Sequence, residues 1–172
     1  MVTQIVEQAA EQTQDTQRIA DMLRINTDLA RRVLVNFIYD GARKVGFERV
    51  VLGISGGIDS ALVAFLAVEA LGAKNVLGVR MPYKTSSESS LSDAQLVIDQ
   101  LGIESLTIPI TGMVDPLFAQ FPDMNQMRKA NIMARQRMIV LYDQSAASRA
   151  LVIGTSNKTE ALLGYTTLFG DS

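Results

Sequence analysis

The chain has 172 residues, with 16 Lys+Arg against 18 Asp+Glu for a formal net charge of −2, and 48% of it is hydrophobic. That length makes one domain the default and that apolar content fills a core, while the lack of net positive charge argues against nonspecific binding to nucleic acid or an acidic membrane. Cysteine and histidine are both absent, which excludes disulfides, thiolate and imidazole metal sites, a cysteine nucleophile and a Ser–His–Asp triad within this chain.

Residues 1–20, rich in Gln, Thr and Glu, read as a flexible N-terminal arm ahead of a domain over 21–172. They show no charged-then-apolar leader, and no run in the chain approaches the roughly 20 apolar residues of a membrane span, so the expectation is a cytoplasmic protein without membrane or nucleic-acid partners. From Asp21 to Val45, Met22, Leu29, Val33, Phe37, Ala42 and Val45 recur at helical spacing, with Gly46 as a stop. Arg49–Ile54 is a short β-branched and aliphatic run with the pattern of a buried parallel strand. A Gly/Ser turn leads to a predicted helix over Ile58–Leu71, stopped by Gly72. The alternation continues: a strand over Val76–Met81, a Ser-rich loop over Thr85–Ser90, a helix over Ser92–Leu101, and a strand over Ser105–Ile110. A long helix is predicted over Asp123–Tyr142, a strand over Ala150–Ile153, and a short helix ending at Leu163. Alternating strands and helices predict an α/β fold, a parallel sheet with helices on both faces, whose ligands sit beyond the C-terminal strand ends. The chain ends at Gly170-Asp171-Ser172 with no closing helix, which reads as truncation at the C-terminus.

The turn after the first strand, Gly53-Ile54-Ser55-Gly56-Gly57-Ile58-Asp59-Ser60, carries the chemistry. Adjacent glycines let the backbone approach a ligand, and successive N–H groups with a helix N-terminus make an anion site. Asp59 beside such a site makes sense with a cation between. The spacing fits neither the dinucleotide fingerprint, since two residues rather than one separate Gly53 from Gly56, nor a P-loop, since no Gly-Lys-Ser/Thr follows. Gly53-x-Ser55-x-Gly57 matches a nucleophile elbow, but that chemistry needs a histidine. A tight βα turn with a Ser or Asp cap remains the plain structural alternative.

The string Ser55-Gly56-Gly57-x-Asp59-Ser60 resembles the pyrophosphate loop of the ATP pyrophosphatase-type synthetases. Four further stretches narrow the resemblance: Arg80-Met81-Pro82-Tyr83-Lys84-Thr85-Ser86, Asn131-x-x-x-Arg135-x-Arg137-Met138, Gly154-Thr155-Ser156-Asn157-Lys158-Thr159-Glu160, and Gly164-Tyr165-Thr166-Thr167-Leu168-Phe169-Gly170-Asp171. In this order, from about residue 20 to the end, they resemble the ammonia-dependent NAD synthetases.

The resemblance implies a Rossmann-like fold of the adenine-nucleotide alpha-hydrolase type and a two-step amidation. The nicotinate carboxylate of deamido-NAD attacks the α-phosphorus of ATP, and ammonia then displaces AMP from the acyl-adenylate to give NAD. It also implies roles. Gly53, Ile54, Ser55, Gly56, Gly57, Ile58, Asp59 and Ser60 would hold ATP, with Arg80 and Thr155; Asp59 and Glu160 would ligate Mg²⁺; Asn131, Arg135 and Asp171 would meet deamido-NAD; Asp59 and Asp171 would be catalytic, Asp171 on the ammonia side. Arg135 and Arg137 lie two apart and so do not share a helix face. Many family members have Lys in place of Leu168, so one lysine contact is missing. A homodimer is implied, and the piece is expected to be inactive alone. The competing readings are the synthetase part of a glutamine-dependent NAD synthetase and a non-catalytic adenine-nucleotide-binding module.

Overall fold

Four short strands form one parallel sheet: β1 (Arg49–Gly53), β2 (Val76–Arg80), β3 (Glu104–Thr107) and β4 (Ala150–Val152), in the order β3-β2-β1-β4. The computed structural model describes Thr16, Arg18 and residues 21–170. Register pairs Val50 with Val76 and Leu151, so β1 is the central buried strand. Its side chains alternate between two cores, as a period of two requires. Val50, Leu52 and Ile54 pack with Ala64, Ala67, Ala94 and Ile98 on one face. Val51 packs with Leu77, Val79, Ile110 and Val140 on the other. The expected α/β sheet with helices on both faces is what the chain forms.

The helices are α1 (Thr27–Lys44), α2 (Ile58–Leu71), α3 (Glu88–Leu101), α4 (Thr111–Gln120), α5 (Gln126–Ser148) and α6 (Lys158–Leu163). By contact clustering the chain divides into Met1–Val33 and Leu34–Ser172, and the sheet and the site described below lie in the second unit. Among the described residues no helix is long and apolar enough to cross a membrane.

Several boundaries differ from expectation, each for a local reason. α1 starts at Thr27 rather than Asp21 because the Asn26 side chain accepts the Leu29 N–H at 2.9 Å, as an N-cap does. The Ser-rich run is partly helix: Ser87 caps α3, its Oγ accepting the Ser90 N–H at 3.1 Å. β3 ends at Thr107 because past it the ladder lacks the N–H of Pro82 on β2, while Pro109 turns its own missing N–H away from β2. Ile108 and Ile110, flanking it, still donate to the Arg80 and Pro82 carbonyls at 2.8 and 2.9 Å. α4 is unsignalled, since Gly112 and Pro116 both count against a helix interior. α5 opens at the Asn125 cap and runs on to Ser148, beyond the expected Tyr142, closing on Arg149 in the left-handed region.

The segment after β2 is stapled to α4. Tyr83 Oη and Lys84 Nζ donate to the two oxygens of Asp115 at 2.8 and 2.7 Å. The Lys84 N–H reaches Thr111 Oγ1 at 2.9 Å, and the Tyr83 ring meets Phe118 edge-on at 6.2 Å. The hydrogen bonds from Lys84 and then Tyr83 hold the Asp115 carboxyl below its ordinary value. The same bond to Asp115, then that to Tyr83, raises Lys84. A lowered carboxyl adds stability above the ordinary carboxylate range and loses it as pH falls through the folded value. A raised ammonium adds stability below the ordinary lysine range and loses it as pH rises through the folded value. Asp115→Asn should therefore lower the thermal midpoint across the neutral range, and the gap to the wild type should close as pH falls below the ordinary carboxylate range and as it rises above the ordinary lysine range. Midpoints measured against pH that run parallel down to pH 2 would rule out the ionised pair.

Candidate active site

β1 and β4 are neighbours although three strands apart in sequence, so the sheet order reverses direction between them. That switch point is where open α/β sheets bind ligands. Two loops meet there, residues 53–60 after β1 and residues 153–160 after β4.

The first loop is held by its own serines. Ser60, only 3% exposed, donates from Oγ to the Gly57 carbonyl at 2.9 Å and accepts the Ser55 N–H at 3.3 Å. Having given its one proton to Gly57, Ser60 is the acceptor in its 3.1 Å contact with Ser55 Oγ, so Ser55 donates. Ser55 Oγ in turn accepts the Gly57 N–H at 3.2 Å. Gly56 sits at φ +86°, and a Cβ there would collide with the Ser90 carbonyl oxygen of α3. Only glycine permits both the conformation and the approach. The N-cap of α2 is Gly57, and no side chain caps this helix. The first-turn N–H groups are thus left open at the loop, with the positive end of the helix dipole behind them.

The second loop faces the first. Asn157 caps α6: its Oδ1 accepts the Glu160 N–H at 2.9 Å while Glu160 Oε2 accepts the Asn157 N–H at 3.0 Å. The Asn157 Nδ2 also points across to Asp59 Oδ2 at 3.5 Å. One asparagine therefore lies between the two carboxylates expected to hold a metal. Among the described residues no cluster of three or more such ligands occurs. Two carboxylates beside an open anion loop are an oxygen-only set, which suits a cation that shares phosphate ligands.

A cavity of about 750 Å³ opens beside these loops. Gly53, Ile54 and Ser55 line it from β1, Arg80 and Met81 from β2, and Gly154 and Thr155 from β4. Ser86, Ser90 and Ala94 close one side and Arg137, Met138, Leu141 and Tyr142 of α5 another. Among the described residues two arginines line it and no acid does. Arg80 Nε is buried without a partner. Arg137 Nε donates to the Met81 carbonyl at 3.1 Å, and burial pushes its guanidinium below the ordinary arginine value.

The expected residues divide. Gly53, Ile54, Ser55, Arg80 and Thr155 line the cavity, although the Ile54 side chain belongs to the core. Gly56, Gly57, Ile58, Asp59 and Ser60 form the adjoining loop, with Glu160 across from it. Asn131 and Arg135 do not line the cavity. Asn131 Oδ1 accepts from Thr167 Oγ1 at 2.9 Å, and Arg135 Nε donates to the Leu168 carbonyl at 3.1 Å. They bind the terminal run, whose Phe169 and Gly170 reach the cavity wall. Asp171 lies outside the described residues. Arg137, Ser86, Ser90, Met138 and Tyr142 were not assigned to the site from sequence. The signal for Arg137 was present: Met133, Val140 and Leu141 pack on the sheet, and Arg137 shares their face at i+4 and i+3 spacing.

A parallel sheet with an anion loop at its switch point is the architecture of the nucleotide-binding α/β proteins. A family model described as NAD synthase matches residues 30–172, and the chain belongs to that family. The chain is 57% identical over 149 residues to the NH3-dependent NAD+ synthetase of Trichlorobacter lovleyi, covering 87% of this chain and 55% of that protein. It thus spans about half the length of the curated relatives it matches. The solved NH3-dependent NAD synthetase from Campylobacter jejuni superposes with a TM-score of 0.81 at 40% identity, over 86% of this chain and 64% of the other. An NMN synthetase from Francisella tularensis superposes with a TM-score of 0.80 at 34% identity, over 86% of this chain and 62% of the other.

Gly56→Ala should cost about 2 kcal/mol or more, from the left-handed backbone and the displaced Ser90 carbonyl together. Urea unfolding should show a lower midpoint at unchanged slope. An unaltered midpoint would mean that the loop and α3 do not meet as described.

Proposed function

We propose that the protein is an ATP-dependent ligase forming a C–N bond, converting deamido-NAD to NAD with ammonia as nitrogen donor. The observation that supports this best is the meeting of Asp59, Asn157 and Glu160 across the switch point, beside a cavity lined by Arg80 and Arg137, in a chain of the NAD synthase family. A module that only binds adenine nucleotide has no need of that carboxylate pair.

The residues divide the work between them. The open N–H groups at the start of α2 are suited to bind the terminal phosphates of ATP, in a loop whose shape the Ser55 and Ser60 hydroxyls hold. Arg80 and Thr155 line the cavity where the nucleoside fits. Asp59 and Glu160 would hold Mg²⁺, which when bound offsets phosphate charge and eases departure of pyrophosphate. The nicotinate carboxylate oxygen attacks the α-phosphorus and the bond to pyrophosphate breaks, leaving an acyl-adenylate. Ammonia then attacks the acyl carbon, the bond to AMP breaks and the nitrogen gives up a proton. The chain has neither Cys nor His, and no step needs a covalent link to the protein. Its contribution is positioning and charge stabilisation.

Asn131 and Arg135 hold the Thr167 and Leu168 segment, and on this reading they meet deamido-NAD together with that segment and Asp171. The setting is the cytoplasm, and the protein acts as a homodimer. Exposed Leu34 and Phe37 on α1, and Ile139 and Tyr142 on α5, supply apolar surface for a second copy.

In the full-length protein, Asp59→Asn should leave the thermal midpoint within about a degree while lowering magnesium-dependent pyrophosphate release about 100-fold or more. The assay should be run with deamido-NAD and with nicotinate mononucleotide as acceptors. Pyrophosphate release that needs neither acceptor, or an unchanged magnesium dependence in the variant, would defeat the reading.

A further inference from the structure

The cavity holds a charge imbalance that the roles above do not use. Among the described residues its walls carry Arg80 and Arg137 but no carboxylate. Arg137 is half-buried, and its one hydrogen bond within the described residues runs from Nε to the Met81 carbonyl at 3.1 Å. A guanidinium has five N–H donors, so four remain for something else. Taking a cation out of water without a counter-charge costs free energy, and here burial already pushes the guanidinium toward its neutral form. Arg135, two residues away, bears no such cost: it is exposed on the far side of the helix and occupied by the Leu168 carbonyl. A cation kept in an acid-free recess suits an anionic ligand that completes the pair.

Position narrows which anion. Of the glycine loop only Gly53, Ile54 and Ser55 line the cavity, while Asp59 and the open first turn of α2 stand beyond its wall. The terminal phosphates therefore belong to the loop and the nucleoside to the cavity, with the first phosphate at their junction. Arg137 lines the cavity and is linked toward that junction through the Met81 carbonyl. Its anchor Met81 packs against Gly53, where an added Cβ would come 3.1 Å from Met81 Cε and 3.7 Å from Leu141 Cδ1, one turn along α5 from Arg137.

We infer that Arg137 is a catalytic residue that binds the α-phosphate of ATP through its Nη groups, staying on it from ATP to acyl-adenylate to AMP. The Met81 carbonyl fixes its stem and leaves the charged fork free to face the phosphorus under attack. Charge grows on the non-bridging oxygens in that step, and a preoriented guanidinium in a partly dry site stabilises it there. This inference rests on ATP being the ligand.

The test is equilibrium binding of ATP, AMP and adenosine to the full-length protein and to Arg137→Gln and Arg137→Lys, with thermal midpoints as the check on folding. Arg137→Gln should weaken AMP and ATP by the same factor, about tenfold or more, and leave adenosine within about twofold. Arg137→Lys should recover part of the loss, since an ammonium replaces the fork by a point charge. Weakened ATP with unchanged AMP would move the contact to the outer phosphates and overturn the assignment. A parallel loss for adenosine would reduce Arg137 to packing and overturn it as well. If Arg137→Gln does not fold, Arg137→Lys decides: weaker AMP with unchanged adenosine supports the assignment, and equal affinities refute it. Wild-type protein that binds neither ATP nor AMP would instead overturn the functional reading itself.

Discussion

Everything at the strand ends depends on the approach of Gly56 to the Ser90 carbonyl. With any side chain at that position the loop after β1 would have to swing away from α3. Because it does not, Ser55 and Ser60 close the loop through their own hydroxyls, and α2 begins without a side-chain cap. A helix start without a cap is ordinarily a small defect, worth about 1 kcal/mol. Here it leaves donors and dipole aimed at the place where a phosphate would sit. The contrast with α3, α5 and α6, capped by Ser87, Asn125 and Asn157, shows that this sequence caps its other helices readily.

Charge is arranged with the same economy. Asp59 and Glu160 stand outside the cavity and Arg80 and Arg137 line it. Asn157 keeps the acidic side in order by capping α6 with one end of its amide and reaching Asp59 with the other. The two basic residues arrive by different routes, Arg80 at the end of a buried strand and Arg137 on a helix packed against the same sheet. The staple of Tyr83 and Lys84 onto Asp115 steadies the chain that follows Arg80 and Met81. On the proposed reading, the two arginines that would meet the anion are carried by a strand end and a helix.

The sheet was legible because β1, β2 and β4 are buried on both faces, and continuous Val and Leu runs between glycine turns are what such strands look like. The anion loop was legible for a similar local reason, since its glycines and serines act within one turn. Features that depend on tertiary context were harder to read. α4 carries Gly112 and Pro116 and is held by packing on α5 and by Asp115, neither visible locally. The Ser-rich run looks like a loop until Ser87 caps a helix with it. Arg135 and Arg137 are indistinguishable as letters, and only the side of α5 that meets the sheet separates them. Asn131 and Arg135 were expected at a substrate, and the contacts they make are to the terminal run at Thr167 and Leu168.

The most direct measurement is a backbone amide NMR titration of the ¹⁵N-labelled chain with magnesium pyrophosphate, followed by ATP. The account predicts that pyrophosphate first moves the amides of Gly56, Ile58, Asp59 and Ser60, those at the open end of α2. ATP should then extend the shifts to Arg80, Arg137 and Thr155 around the cavity. Shifts confined to other surfaces, with the Gly56–Ser60 amides unmoved at saturating ligand, would contradict the claim that this loop and this cavity form one nucleotide site.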